Sequence, residues 1–128
     1  MTKIYVVQAR AYEYNDEGYD CTEGGNVVHA YTSLAAAETA RIQLTMDRLR
    51  NGGMCYLTEK RVDFSDDALG VLEKHDLQPK DDYIDYYEGE DITDAIKSGQ
   101  ITEDELRTLA RGIESDYALF FIEEVEVD

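Results

Sequence analysis

The order of apolar and polar residues predicts two strands, a long helix, three short helices and a closing strand. Lys3 to Tyr14, rich in Val and Tyr, reads as a long β-strand. Asn15-Asp16-Glu17-Gly18 and Gly24-Gly25 read as a polar loop, with Asn26 to Tyr31 returning as the second strand of a wide hairpin. Ser33 is placed to cap a helix running to about Arg50, which Asn51-Gly52-Gly53 would end. Along that helix Ala35, Ile42, Met46 and Leu49 form one apolar stripe, and Ala37, Ala40 and Leu44 a second, nearly opposite. A helix apolar on two sides is expected between layers, covering the sheet and receiving the second half of the chain.

Met54-Cys55-Tyr56-Leu57 fits a short strand, with Lys60-Arg61 breaking the pattern after it. Ser65 then caps a helix that carries Asp66 and Asp67 in its first turn and a Phe64–Leu69 staple, and that should stop before Pro79. Asp91 to Ser98 predicts a third helix ended by Gly99. The last helix has the best local signal: Thr102 and Glu105 form a capping box, Ile101 and Leu106 a staple, and Leu106, Leu109, Ala110 and Ile113 an apolar face. Tyr117 to Val127 closes the chain as a strand. Its first part is apolar on both faces and reads as central in the sheet, whereas Glu123 to Asp128 alternates and has one face in water.

These elements predict an α+β fold, a small antiparallel sheet of about three strands in the chain order β-β-α-α-α-α-β, packed by helices. At 128 residues the chain is expected to be one domain with a real core. No run approaches the ~18 apolar residues that cross a bilayer, and Met1 to Val7 lacks the pattern of a signal peptide. A cytoplasmic location and reduced Cys21 and Cys55 are the corresponding expectations.

Charge changes the picture most. Residues 1–62 hold 8 acids and 7 bases, a net of −1; residues 63–128 hold 21 acids and 5 bases, a net of −16, which completes the chain's −17. Halophilic adaptation would spread acids everywhere, and the neutral first half argues against it. The chain therefore reads as a near-neutral β-β-α scaffold, 1–62, carrying an acidic helical segment and closing strand, 63–128. Such a field repels nucleic acid and membranes and draws basic surfaces. A basic protein is the expected partner, with no direct nucleic-acid binding.

The letters Lys3-Ile4-Tyr5-Val6-Val7, Ala30-Tyr31-Thr32-Ser33 with Ala36-Ala37-Glu38, and Phe121-Ile122-Glu123-Glu124-Val125-Glu126-Val127-Asp128 resemble a pattern found in small bacterial and phage α+β proteins. That resemblance covers the strands and first helix, supports the fold and implies no catalytic residue. In charge and size alone, the chain is also similar to phage-encoded DNA-mimic inhibitors of host nucleases.

The centre of the acidic half is the run from Asp81 to Asp91, where Asp81, Asp82, Asp85, Glu88, Glu90 and Asp91 surround Tyr83, Tyr86 and Tyr87. A charge run is ordinarily a solvated face, with its tyrosines tucked into the core. The sharper reading makes the carboxylates stand in for phosphates. Helical neighbours lie ~5–6 Å apart, and duplex DNA carries one charge per ~1.7 Å of axis. The tyrosines would supply low-entropy anchors typical of interface hot spots. On this reading the protein is an inhibitor or modulator, of the anti-restriction or anti-CRISPR kind. It would occlude the basic groove of a host defence nuclease or another nucleic-acid-handling protein. An interaction or immunity-type module binding through its sheet or helix is the alternative, and a metal-dependent enzyme the second.

Chemistry is weakly signalled. Asn15 to Asp20 and Asp81 to Asp91 offer oxygen ligands without EF-hand spacing. A zinc site would need Cys21, Cys55, His29 and His75 to converge from four elements with no paired spacing. No cysteine follows the pattern of an activated nucleophile, although Cys55 lies near Lys60 and Arg61. No phosphate-loop, dinucleotide or nucleophile-elbow motif occurs. The expectation is no enzyme, no catalytic or metal residue and no cofactor.

Overall fold

The computed structural model describes residues 2–15, 18–53, 64–77, 89–113 and 118–127; of 11–15, 18–25 and 89 it describes the backbone alone. Two strands, β1 (Thr2–Asn15) and β2 (Gly18–Tyr31), are followed by helices α1 (Leu34–Arg50), α2 (Asp66–Lys74), α3 (Gly89–Lys97) and α4 (Glu103–Arg111), and by β3 (Phe120–Val127). The sheet is antiparallel in the order β2-β1-β3. The α+β class and element order expected from the sequence are therefore those observed.

Two strand readings need correction. The expected polar loop is mostly strand, because Tyr14 pairs with Tyr19, Tyr12 with Cys21 and Arg10 with Gly25. Gly24 and Gly25 fall where the register shifts between Arg10 and Tyr12, so they mark an irregularity inside a long hairpin. Cross-strand pairing, a non-local interaction, overrides the turn-like local composition. The second correction concerns β3, which is an outer strand while β1 is central. Its apolar run has other causes. Ala118 and Leu119 precede the strand and are buried, Phe120 is buried, and Arg10 lies 4.6 Å over the Phe121 ring. Arg10 also donates from Nε to the Ala118 carbonyl and from its backbone N–H to the Leu119 carbonyl, both at 2.8 Å, which fixes how the chain joins the sheet.

Opposed residues share a face of a sheet. Val7 with Ile122 and Ala9 with Phe120 define the core-facing side, where Val7 and Phe120 are buried and Tyr5, Ala9, Tyr31 and Ile122 pack against the core. Helix α1 lies against all three strands and also against α3 and α4. Its buried residues, Ala37, Thr45, Met46 and Leu49, sweep one broad arc with Ile42 and Leu44 at its flanks. The two stripes thus merge into a single wide face, and Ala35 is exposed. Thr45 is tolerated there because its hydroxyl donates to the Arg41 carbonyl at 2.8 Å.

The helix boundaries follow local chemistry. Ser33 and Ser65 accept from Ala36 and Ala68 N–H groups at 3.3 Å. Helix α2 stops at Lys74, well before Pro79, and α3 begins at Gly89 rather than Asp91. Gly99 takes φ +84 after α3, where the Ile101 N–H reaches back to the Ala95 carbonyl at 3.0 Å. Helices α2 and α4 are joined tightly: Phe64 bridges Ile113, and the Ser65 N–H donates to the Gly112 carbonyl at 2.8 Å. Gly112 is needed for close approach, since a Cβ there would stand 2.4 Å from the Ala68 Cβ and 2.5 Å from the Ser65 Oγ.

Candidate functional site

The acidic half buries apolar residues inward and leaves its carboxylates outward. On α3, Ile92, Ala95 and Ile96 are buried while Glu90, Asp91 and Asp94 are exposed. Asp94 is three residues from Asp91 and four from Glu90, so the three carboxylates share one face at ~5–6 Å between Cβ atoms. Glu90 and Asp91 lie in the first turn, where the helix dipole favours negative charge. Asp94 lies beyond that turn and gains nothing from it. Like charges at this spacing cost a few tenths of a kcal/mol, and none of the three is in an ion pair with another described residue.

Glu90 and Asp91 are the described members of the expected partner-binding run. Asp81, Asp82, Tyr83, Asp85, Tyr86, Tyr87 and Glu88 lie outside the described residues, as do Met54 to Leu57 and Cys55 among them. Further exposed acids occupy the first turn of α2, Asp66 and Asp67, and the outer strand β3, Glu123, Glu124 and Glu126. On β3, Glu123 accepts from Gln8 Nε2 at 2.5 Å and Glu124 lies 3.7 Å from Lys3 Nζ. Both partners sit on β1, so these acids also help to hold the sheet.

One carboxylate is of a different kind. Glu105 is mostly buried and serves four groups at once. Its Oε1 accepts from the Thr102 backbone N–H at 3.0 Å, completing the capping box in which Thr102 Oγ1 accepts from the Glu105 N–H at 3.2 Å. Its Oε2 lies 3.0 Å from His75 Nε2 and 3.1 Å from Lys74 Nζ. The Thr102 N–H is the largest influence on the carboxyl and lowers its pKa; burial acts in the opposite sense, and His75, Lys74 and the Thr102 hydroxyl lower it further, to about 2 from the ordinary 4.5. The capping box was legible in the sequence, but its link to His75 across 30 positions was not. A histidine oriented by a carboxylate is half of a general-base arrangement. The Thr102 hydroxyl serves the cap, and the cluster ties the end of α2 to the start of α4.

Among the described residues the remaining candidates for chemistry are not brought together. His29 stacks edge-on against Tyr31 with ring centres 4.7 Å apart, and His75 is held by Glu105. Cys21 lies in β2, and Asn15 and Gly18 to Asp20 are strand residues rather than a ligand loop. Among the described residues no three His, Cys, Asp or Glu side chains are grouped as metal ligands would be. No helix among them is long and apolar enough to cross a membrane. A cavity of about 310 Å³ opens where α1 ends, lined by Arg50, Gly99, Thr102 and Glu103 among others, but Arg50 is already engaged by Asp47 at 2.8 Å and Glu103 at 3.7 Å. A second, of about 260 Å³, lies between α1 and β3 and is lined mainly by Ile113, Phe120, Phe121 and Ile122, with the Glu38–Arg41 pair on its wall.

No family model, curated protein or solved structure matches this chain.

Proposed function

We propose that the protein is an acidic binding module that modulates or inhibits a nucleic-acid-handling protein by filling its basic groove with carboxylates. The observation that carries this reading is the outward-facing trio Glu90, Asp91 and Asp94 on α3, which has no ion pair among the described residues. It continues in sequence the run of Asp81, Asp82, Asp85 and Glu88 around Tyr83, Tyr86 and Tyr87. Dipole compensation explains Glu90 and Asp91 but not Asp94, and a helix face that repels itself is better explained by a cationic partner. The first half, with β1, β2 and α1, is near neutral, so the excess charge belongs to the second half of the chain. Steering toward a basic groove follows from the field, and occlusion needs no covalent step.

The test is charge reversal. The triple variant Glu90→Lys, Asp91→Lys, Asp94→Lys should retain the circular dichroism spectrum of the parent, since all three side chains are exposed. It should lose capture of nucleic-acid-binding proteins from a bacterial lysate. Equal capture by parent and variant would remove the acidic face as the binding surface.

A further inference from the structure

Arg41 stands on α1 with its side chain only 16% exposed. A guanidinium presents its N–H donors on three nitrogens in a fixed fork. Among the described residues one bond is made, from Nη2 to Glu38 Oε2 at 3.2 Å, and Nε and Nη1 have no acceptor. Glu38 compensates poorly, because it lies one turn away on the same helix and is itself 46% exposed. A cation mostly out of water with unmet donors is costly, and buried donors ordinarily find an acceptor.

The side chain lines the cavity of about 260 Å³ between α1 and β3. Apart from the Glu38–Arg41 pair its wall is apolar, with Ile113, Phe120, Phe121 and Ile122 supplying most of it. Liquid water takes ~30 Å³ per molecule, so the space suits roughly nine waters or one organic molecule of about ten non-hydrogen atoms. An apolar lining with a few polar groups that fix orientation is the usual make-up of a small-molecule site. Arg10, 4.6 Å over the Phe121 ring, brings a second guanidinium beside the same wall.

We infer that this cavity binds a small aromatic monocarboxylate, with its ring against Phe120 and Ile122 and its carboxylate on the unmet N–H groups of Arg41. The lining selects this class. A guanidinium fork matches a carboxylate bidentately, and a ring packs well against phenylalanine. An inorganic anion would leave the apolar wall unused, and a neutral hydrocarbon would leave the Arg41 donors unmet. The exposed acids of the second half are screened beyond ~8 Å at physiological salt, whereas Arg41 is a fixed cation mostly out of water. The site shares no residue with the α3 trio, so it stands or falls apart from the acidic face.

The test is titration of the full chain with phenylacetate, a probe of the size the cavity suits, followed by backbone and arginine side-chain NMR shifts. Saturable binding is expected, with a dissociation constant on the order of 0.1–1 mM and the largest shifts at Arg41, Phe120 and Ile122. Phenylacetamide keeps the ring without the charge, and acetate keeps the charge without the ring. Each should bind at least ~10-fold more weakly. Arg41→Gln should weaken phenylacetate by at least ~10-fold. Glu38→Gln, at a half-exposed position, should strengthen it about 2–5-fold by releasing Arg41. Should Arg41→Gln fail to fold, the three probes on the parent chain and the Glu38→Gln variant decide. Absence of saturation up to tens of millimolar, equal affinity for phenylacetate and phenylacetamide, or weaker binding by Glu38→Gln overturns the inference.

Discussion

Gly112→Ala should destabilise the protein even though its backbone suits alanine. Gly112 has φ −89, an ordinary conformation, so on backbone grounds the change should stabilise by about 0.4–1 kcal/mol through a less flexible unfolded chain. Contact geometry decides otherwise. A Cβ at Gly112 would lie 2.4 Å from the Ala68 Cβ and 2.5 Å from the Ser65 Oγ. Carbon atoms prefer ~3.5–4.0 Å, so α2 and the end of α4 must separate by more than an ångström. Overpacking of this kind costs about 1–3 kcal/mol, and loss of the 2.8 Å bond from the Ser65 N–H to the Gly112 carbonyl adds about 1 kcal/mol. Net destabilisation of about 1–3 kcal/mol is expected, read as a lower urea midpoint at unchanged slope. Gly70→Ala is the control. Gly70 sits inside α2 with nothing within 4 Å of its would-be Cβ, so alanine should stabilise by about 0.5–1 kcal/mol. If both variants are stabilised, the close α2–α4 approach is wrong.

Two further variants probe other links. Glu105→Gln removes a carboxylate whose folded pKa of about 2 lies below the ordinary 4.5. A lowered folded value gives stability that is fully present above ~4.5 and is lost as pH falls through about 2. The gap between parent and variant urea midpoints should therefore be open near neutral pH and should close across that window; a pH-independent gap would assign the effect to packing. Gly99→Ala meets no neighbour, yet Gly99 holds φ +84, so the variant should lose about 1–2 kcal/mol in thermal unfolding through backbone strain alone.

Elements governed by neighbours in sequence were the legible ones. Ser33, Ser65 and the Thr102–Glu105 box each act within three residues of where they sit, and all three caps form. The apolar face Leu106, Leu109, Ala110 and Ile113 is buried as its spacing implied. What escaped the sequence was settled by contacts far along the chain. Gly24 and Gly25 look like turn residues until Arg10 pairs opposite Gly25, and Phe121 looks like the core of a central strand until Arg10 covers it. Gly112 gives no local sign that Ala68, 44 positions earlier, needs its missing side chain. The candidate site divides in the same way. Glu90 and Asp91 were readable as part of the acidic run, but the helix that sets them on one face with Asp94 begins two residues before the expected Asp91, and nothing near Glu105 in sequence announces His75 and Lys74.

The most direct test of the central claim is the affinity of a captured partner measured as salt is raised, with duplex DNA as competitor. A carboxylate face seated in a basic groove predicts at least a ~10-fold loss of affinity between low and physiological ionic strength, where the screening length has shortened to ~8 Å. It also predicts that duplex DNA displaces the protein. Affinity indifferent to salt, with partner and DNA bound at the same time, would contradict it.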